Sequence, residues 1–515
     1  METAKIYFQK LLKVNPFLGN NYFPRYSKLW KQSCNGVFIP DSAIEVGIPD
    51  SDLHIYVITK NKPQDGDLAN ACVCAYNDMY MRPSFGRIQF DLGLFGKNQD
   101  AESFENDLET TIHEILHILG FSGFQMQFWI NPQTGQYYGQ YGLSQITKIV
   151  IYRGLPTTLV MTKNILQTAR KYYACPNMEG MQLENEGGSG SLGSHWEQLI
   201  VQNEMMMASD VITDAQLSVL TIALLRDTGY YTEVNENMAD NLYWGKGKGC
   251  SFVIEGCYSK QKFDEFPQEM KVQCSFENDG YGFPETTPYF DKCLMKDIYG
   301  NKLCTSFKNN FQFNNSDIAL EYFGISSKCF NSTSSNNVKL LNDEQARCHM
   351  FKCSPDHKSI SIFFPQIKRQ IICTKEKEEK LINPQNDRFG KIVCPSSFLQ
   401  FCDYVHICPN YCSSVGFCVR GVCLCLPGWG GVDCSVKCHQ VVSDKTCVKQ
   451  CPGNQVISPD RSCQNQCPNG YFRHGPKCFQ CHPSCKRCKG GTANDCTLCQ
   501  FLTQPNQYGQ CISIY

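Results

Sequence analysis

Between residues 103 and 120 apolar side chains return at Leu108, Ile112, Ile115, Leu116 and Leu119. Spacings of three and four wind one apolar stripe along a helix. Ser103 or Asn106 is its expected cap, and Glu105, Asp107 and Glu109 place negative charge towards its N-terminal end. Gly120 is expected to end it in the left-handed conformation. A second helix is expected over 213–227 (TDAQLSVLTIALLRD), with Asp214 in its first turn. It is strongly apolar yet too short to span a bilayer, which makes it a core helix. Ile6–Leu12 reads as an amphipathic helix and Leu159–Tyr172 as another helical stretch. Leu53–Thr59 is a β-rich run between Pro49/Asp50 and Asn61/Pro63, and Ile88–Leu94 alternates apolar and polar residues. Cys72 and Cys74, between those two strands, stand too close in sequence to pair with each other. The mixture of elements gives an α+β class.

Composition changes this picture in one respect. Lys+Arg (48) and Asp+Glu (49) nearly cancel, giving a net charge of −1, which argues against a nucleic-acid binder. No apolar stretch reaches 18 residues, so neither a transmembrane helix nor a lipid-anchor tail is visible. The 33 cysteines, however, are unevenly spread: 4 lie in residues 1–249 and 29 in residues 250–515. Such density reads as a disulfide scaffold made in an oxidising compartment. The competing reading is a zinc array, for which Cys478/Cys481, Cys485/Cys488 and Cys496/Cys499 have suitable spacing. Sequons at Asn314 and Asn331 suit a secreted chain. The first residues, METAKIYFQKLLKVNPFLGN, carry no signal-like apolar run, and the expectation is that the N-terminus is incomplete and the protein extracellular or on the cell surface.

The chemistry sits at His113-Glu114-Ile115-Leu116-His117, an HExxH sequence inside the first helix. Residues four apart share a helical face, with Cβ atoms about 5–6 Å apart. Two imidazoles there can hold one Zn²⁺, and Glu114, beside the first, can take the proton of a water that the metal activates for attack on a peptide carbonyl. By chance the motif arises on the order of once in a hundred such sequences. Its place on an amphipathic helix ending at a glycine raises its weight.

Catalytic zinc sites normally use three protein ligands. The metzincin extension HExxHxxGxxH supplies the third nearby, and here Gly120 fits but Gly123 stands at the ligand position. A long, less patterned insert follows, and at its end come Gly193-Ser194-His195-Trp196 and then Glu204-Met205-Met206-Met207-Ala208. Separately, a methionine run is more often core filler and a lone histidine structural. In this order the set resembles the leishmanolysin family of zinc metalloproteases, in which a domain-sized insertion separates the glycine from the third histidine. The resemblance also rests on Ile39-Pro40-Asp41-Ser42, HEILHILGFS (113–122), LLRDTGYY (224–231) and WGKGKGCSF (244–252). It implies one Zn²⁺ held by His113, His117 and His195, with Glu114 as general base. Met206 becomes the Met-turn methionine, with Met205 or Met207 in its place if the alignment slips by one. It further implies a metzincin catalytic domain with a large insertion, in which a twisted sheet and the active-site helix frame a cleft below an edge strand. Ile88–Leu94 is the expected edge, and extended protein or peptide substrates would pair with it by strand addition. The family's signal, its pro-segment cysteine and its lipid-anchor tail have no counterpart in these residues.

Cys408, Cys412, Cys418, Cys423, Cys425 and Cys434, with Pro427-Gly428-Trp429-Gly430-Gly431, resemble an EGF-like module, and Cys438–Cys511 resembles furin-like repeats. Such small modules depend on disulfide staples. The expected organisation is 1–125 with the HExxH helix, 126–249 with the insertion, third histidine and Met-turn, a cysteine-rich domain over 250–405, an EGF-like module over 406–435, and furin-like repeats over 436–515. The C-terminal modules are expected to form a stalk or a surface for cell-surface or matrix contact. The functional expectation is a zinc endopeptidase with a role in cell adhesion. The alternative is a catalytically silent adhesion protein on a protease scaffold, and the intact Glu114 favours the enzyme.

Overall fold

The computed structural model describes residues 1–515 except 18, 25–32, 97–99, 210–213, 311–319, 335–344, 378–380, 383–389, 404–406, 439–440, 444–445, 449, 460, 500–502 and 514–515. The Asn314 sequon therefore lies outside the described residues. The chain opens with helix α1 (Glu2–Leu11), whose Ala4, Tyr7 and Leu11 are buried. Strands β1 (His54–Lys60), β2 (Ala69–Tyr76) and β3 (Pro83–Asp91) form a sheet ordered β1-β3-β2. β1 runs parallel to β3, and β2 runs antiparallel to it.

The centre of this sheet is β3, so the segment Ile88–Leu94 is strand as far as Asp91, as its alternation predicts, but not the edge expected from the family resemblance. Alternation marks a strand but not its place in a sheet, and polar residues of this strand are buried with partners. Asp91, fully buried, accepts the Lys62 N–H at 3.1 Å and the Gly93 N–H at 2.9 Å, and the buried Arg87 guanidinium donates to Asn70. The antiparallel edge is β2, with a bulge at Cys74.

Helix α2 (Ala101–Ile118) carries the HExxH sequence. Its cap is Asp100, whose carboxylate accepts the Ser103 N–H at 3.0 Å, so the helix starts earlier than a cap at Ser103 or Asn106 would place it. Gly86 of β3 sets how closely the helix lies on the sheet: a Cβ there would stand 2.7 Å from Ile118 Cγ2. Gly120 follows the helix at φ +132°, as its position predicts.

The insert is a hairpin of β4 (Thr147–Tyr152) and β5 (Leu155–Val160), joined by helix α3 (Lys163–Tyr173) and the short strand β6 (Met181–Gln182). Its Trp129, Ile146, Val160, Ile165 and Tyr173 share one core with Ile112 and Leu116 of α2. Helix α4 spans Val219–Asp227, a shorter element than the 213–227 expected, and Asp214 precedes it. Ser218 caps it, its hydroxyl accepting the Leu220 N–H at 3.1 Å. At its far end Asp227 caps α3, accepting the Ile165 N–H at 2.8 Å and the Thr162 hydroxyl at 2.7 Å.

Beyond residue 250 the architecture is mainly antiparallel and disulfide-held, with a parallel pairing between Ile457 and Lys477. Strands β7 (Ser327–Ser332), β8 (Gln345–Cys353), β9 (Ser359–Phe364), β10 (Arg369–Thr374), β11 (Leu381–Ile382) and β12 (Ile392–Val393) form one sheet ordered β10-β9-β8-β7-β12-β11. Its core includes Phe330, Ile360, Ile362, Phe364 and Phe401. Every cysteine but Cys72 is in a disulfide. The pairs with zinc-like spacing are among them, as Cys467–Cys478, Cys481–Cys488, Cys485–Cys496 and Cys499–Cys511, which overturns the zinc-array reading. Cys72 lies beside the Cys34–Cys74 bridge, its sulfur 3.9 Å from that of Cys34.

The EGF-like cysteines pair as Cys408–Cys418, Cys412–Cys423 and Cys425–Cys434. The module is not a free stalk. Phe417 and Val419 of its hairpin, β13 (Gly416–Val419) and β14 (Val422–Cys425), belong to the main core. The Phe417 ring meets Tyr7 of α1 edge-on at 5.2 Å. The Arg420 N–H donates to Asp240 at 3.2 Å, and its guanidinium donates to the Ala239 carbonyl. Asp403, ahead of the first EGF cysteine, is engaged with Asn241 at 3.0 Å and with the Tyr243 hydroxyl. Phe417→Leu should therefore cost the body of the protein about 1–2 kcal/mol. Thermal unfolding monitored on the body's tryptophans checks this, and an unchanged midpoint would mean the module contributes nothing to that core.

Candidate metal centre

Three imidazoles from two distant segments converge. His113 and His117, one turn apart on α2, have their Nε2 atoms 3.1 Å from each other. His195 Nε2 lies 3.2 Å from each of them. In every ring the other nitrogen points at a backbone carbonyl: His113 Nδ1 at Met205 O (2.7 Å), His117 Nδ1 at Phe121 O (2.7 Å) and His195 Nδ1 at Ser191 O (3.1 Å). A carbonyl only accepts, so each Nδ1 carries the hydrogen and each Nε2 is left with a bare lone pair. Burial keeps these rings neutral. It lowers the pKa of His113, pulls His117 well below the usual range with help from its two neighbours, and brings His195 down to about 3.

The donor set fits a zinc ion. Three nitrogens at about 2.0–2.1 Å around a tetrahedral centre would stand about 3.3–3.4 Å apart, close to the spacing found. Neutral imidazole donors suit zinc chemically. Glu114 follows His113 directly and is itself buried, 6 % exposed.

What brings His195 to α2 is the path of the insert. Gly123 occupies the third-ligand position of the shorter motif, and a Cβ there would stand 2.7 Å from the Gly193 carbonyl oxygen. The chain leaving α2 thus passes the backbone that delivers His195 at a distance only glycine allows. His195 is then tied by its own backbone, its carbonyl accepting the Glu184 N–H at 2.9 Å, while the Trp196 N–H donates to Met206 O at 2.9 Å.

The methionine run forms a turn whose backbone touches the site through Met205 O, and Met206 is fully buried. Glu204 holds this turn. Its carboxylate, with no exposure, accepts the Met206 N–H at 2.6 Å, the Ser218 hydroxyl at 2.7 Å and the Thr221 hydroxyl. Burial raises its pKa, and these donors oppose the rise. Glu204 stands in the run that carries the resemblance, but its part in holding the turn, and the parts of the three carbonyls, emerge only from the fold. Backbone carbonyls carry no sequence signal. Glu204 has one, being an acidic residue between the apolar runs Leu199–Val201 and Met205–Met207.

The leishmanolysin family model matches residues 8–281, and a teneurin-like EGF domain matches 408–437. A "Ciliated left-right organizer metallopeptidase" of Danio rerio is 27 % identical over 360 residues, 64 % of this chain and 56 % of that protein. A "Leishmanolysin-like peptidase" of Caenorhabditis briggsae is 30 % identical over 245 residues, 41 % of this chain and 35 % of its own. "Leishmanolysin" of Leishmania donovani is 29 % identical over 229 residues, 44 % of this chain and 34 % of its own. The chain thus spans about a third to just over a half of the length of these relatives.

Proposed function

The chain belongs to the leishmanolysin family, whose model covers more than half of it, and we propose that it is a zinc-dependent endopeptidase acting on protein substrates. The observation that carries this reading is the set of three bare Nε2 atoms within 3.2 Å of one another, with Glu114 next to the first of them. In it His113, His117 and His195 hold one zinc ion, Glu114 is the general base, and Met206 is the Met-turn methionine. Zinc bound there supplies Lewis acidity towards the scissile carbonyl and towards water.

The remaining work falls to the chain's own groups. The Glu114 carboxylate takes a proton from the attacking water and passes it to the leaving amine nitrogen. The three backbone carbonyls keep the imidazoles in the tautomer that offers Nε2 inwards. An extended peptide pairs with the outer edge of β2, the strand that takes the place expected of Ile88–Leu94. The disulfides support folding in an oxidising compartment, and extracellular or cell-surface residence, with contacts to surface or matrix through the C-terminal modules, belongs to the same reading. Among the described residues no helix is long and apolar enough to cross a membrane.

Metal analysis combined with a chelator-reversal assay tests the proposal. The purified chain should hold about one zinc, lose casein hydrolysis when the metal is stripped, and regain it on adding Zn²⁺. Zinc binding without hydrolysis would support a silent scaffold instead. Hydrolysis that survives stripping would rule out the metal mechanism.

A further inference from the structure

Strand β7 is buried along its length except at one residue, Asn331, which is exposed. Asn331 opens the sequon Asn331-Ser332-Thr333. It also lines a cavity of about 420 Å³, to which the body contributes Tyr243 and the charged Lys246, the segment after residue 270 contributes Gln273 and Asn278, and the stretch after β12 contributes Ser397 and the helical Gln400. The Tyr243 hydroxyl and the Asn278 amide already donate within the protein, to Asp403 and to the Cys329 carbonyl, and the polar and charged lining as a whole suits a ligand rich in hydroxyl and acetamido groups.

We propose that Asn331 carries an N-linked oligosaccharide, and that its innermost sugars seat in this cavity between the body and the β7–β12 sheet. Three independent features support it. The side chain that would be modified is the exposed one on its strand. The chain's disulfides place its folding in the oxidising compartment where such transfer occurs. And the cavity at the foot of Asn331 is polar rather than apolar, as a sugar requires.

The structure also orders the events. The Thr333 hydroxyl, which a transferase must read, accepts the Lys391 N–H at 2.9 Å, and Thr333 and Ser332 are 5 % and 2 % exposed. The sequon is therefore readable only before β7 joins its sheet. In the transfer, Asn331 Nδ2 bonds to C1 of the reducing-end sugar of a lipid-pyrophosphate-linked oligosaccharide. The C1–O bond breaks, the pyrophosphate leaves with the electron pair, and the amide gives up one proton.

The test uses the full chain passed through a eukaryotic secretory pathway. After reduction, the tryptic peptide Cys329–Lys339 should be found glycosylated. Treatment with a peptide N-glycosidase in ¹⁸O-water should convert Asn331 to labelled aspartate. A peptide recovered unmodified overturns the proposal. Seating is read by hydrogen exchange: backbone amides of 273–278 and 396–400 should exchange about tenfold more slowly in the glycosylated protein than in Asn331→Gln, through restricted local opening. Enzymatically deglycosylated protein serves as the reference if that variant does not fold. Equal exchange means a glycan that does not occupy the cavity, and overturns that part.

Discussion

Replacing Glu114 by glutamine should lower peptide hydrolysis by at least about 10²-fold, or about 2.7 kcal/mol of transition-state stabilisation, while the protein keeps its zinc. Glutamine has the shape of glutamate and fits the same buried site, but its amide does not accept a proton at neutral pH. Neither His113 nor His117 depends on Glu114 for its tautomer, because Met205 O and Phe121 O set those. Loss of rate with retained metal is therefore the signature of a base rather than of a ligand. Casein turnover and zinc content measured on the same preparation decide it. Wild-type turnover in the variant would end the assignment, and loss of both rate and metal would move Glu114 from proton transfer to metal retention.

His195→Ala should be more damaging to the metal. Removing a residue that only supports a ligand typically costs about 10–100-fold in affinity, so losing one of three donors should exceed that. Only His113 and His117 would remain of the three, a pair on one helix turn. The backbone around residue 195 is held independently of the ring, through the Glu184 and Trp196 amides, so the helices should survive. Zinc titration alongside circular dichroism separates the two effects. A folded variant that binds zinc as tightly as the parent would show that the distant histidine is not a ligand.

Much of this site was legible because it is local. His113, Glu114 and His117 lie within one helical turn, and a single apolar period places them. Gly120 was legible for the same reason. The cap was not, because Asp100, Ser103 and Asn106 are all competent and only the packing of the helix start chooses among them. The apolar run before Val219 read as helix, yet tertiary pairing claims its first part. Gln216 lies against the methionine turn, its carbonyl accepting the Met205 N–H at 2.7 Å and its amide donating to Asn203 O at 2.9 Å. The edge was misplaced because alternation marks a strand without saying what flanks it, and Ile88–Phe90 is paired on both sides by segments distant in the chain.

The α+β class, the HExxH helix, the likeness to leishmanolysins and the disulfide-rich character of the second half follow from residue order alone. These depend on short-range periodicity, on residue types and on cysteine number. Folding in three dimensions settles that β2 rather than β3 is the edge, that the EGF-like hairpin enters the main core, that Cys72 is the cysteine left over, and that Met205 O, Phe121 O and Ser191 O orient the three rings. Each of these is a contact between segments far apart in the chain or to backbone atoms, and neither kind leaves a periodic trace in residue order. His195 belongs to both accounts: the motif named it, but the close passage of Gly123 past Gly193 is what carries it across 78 residues to His117.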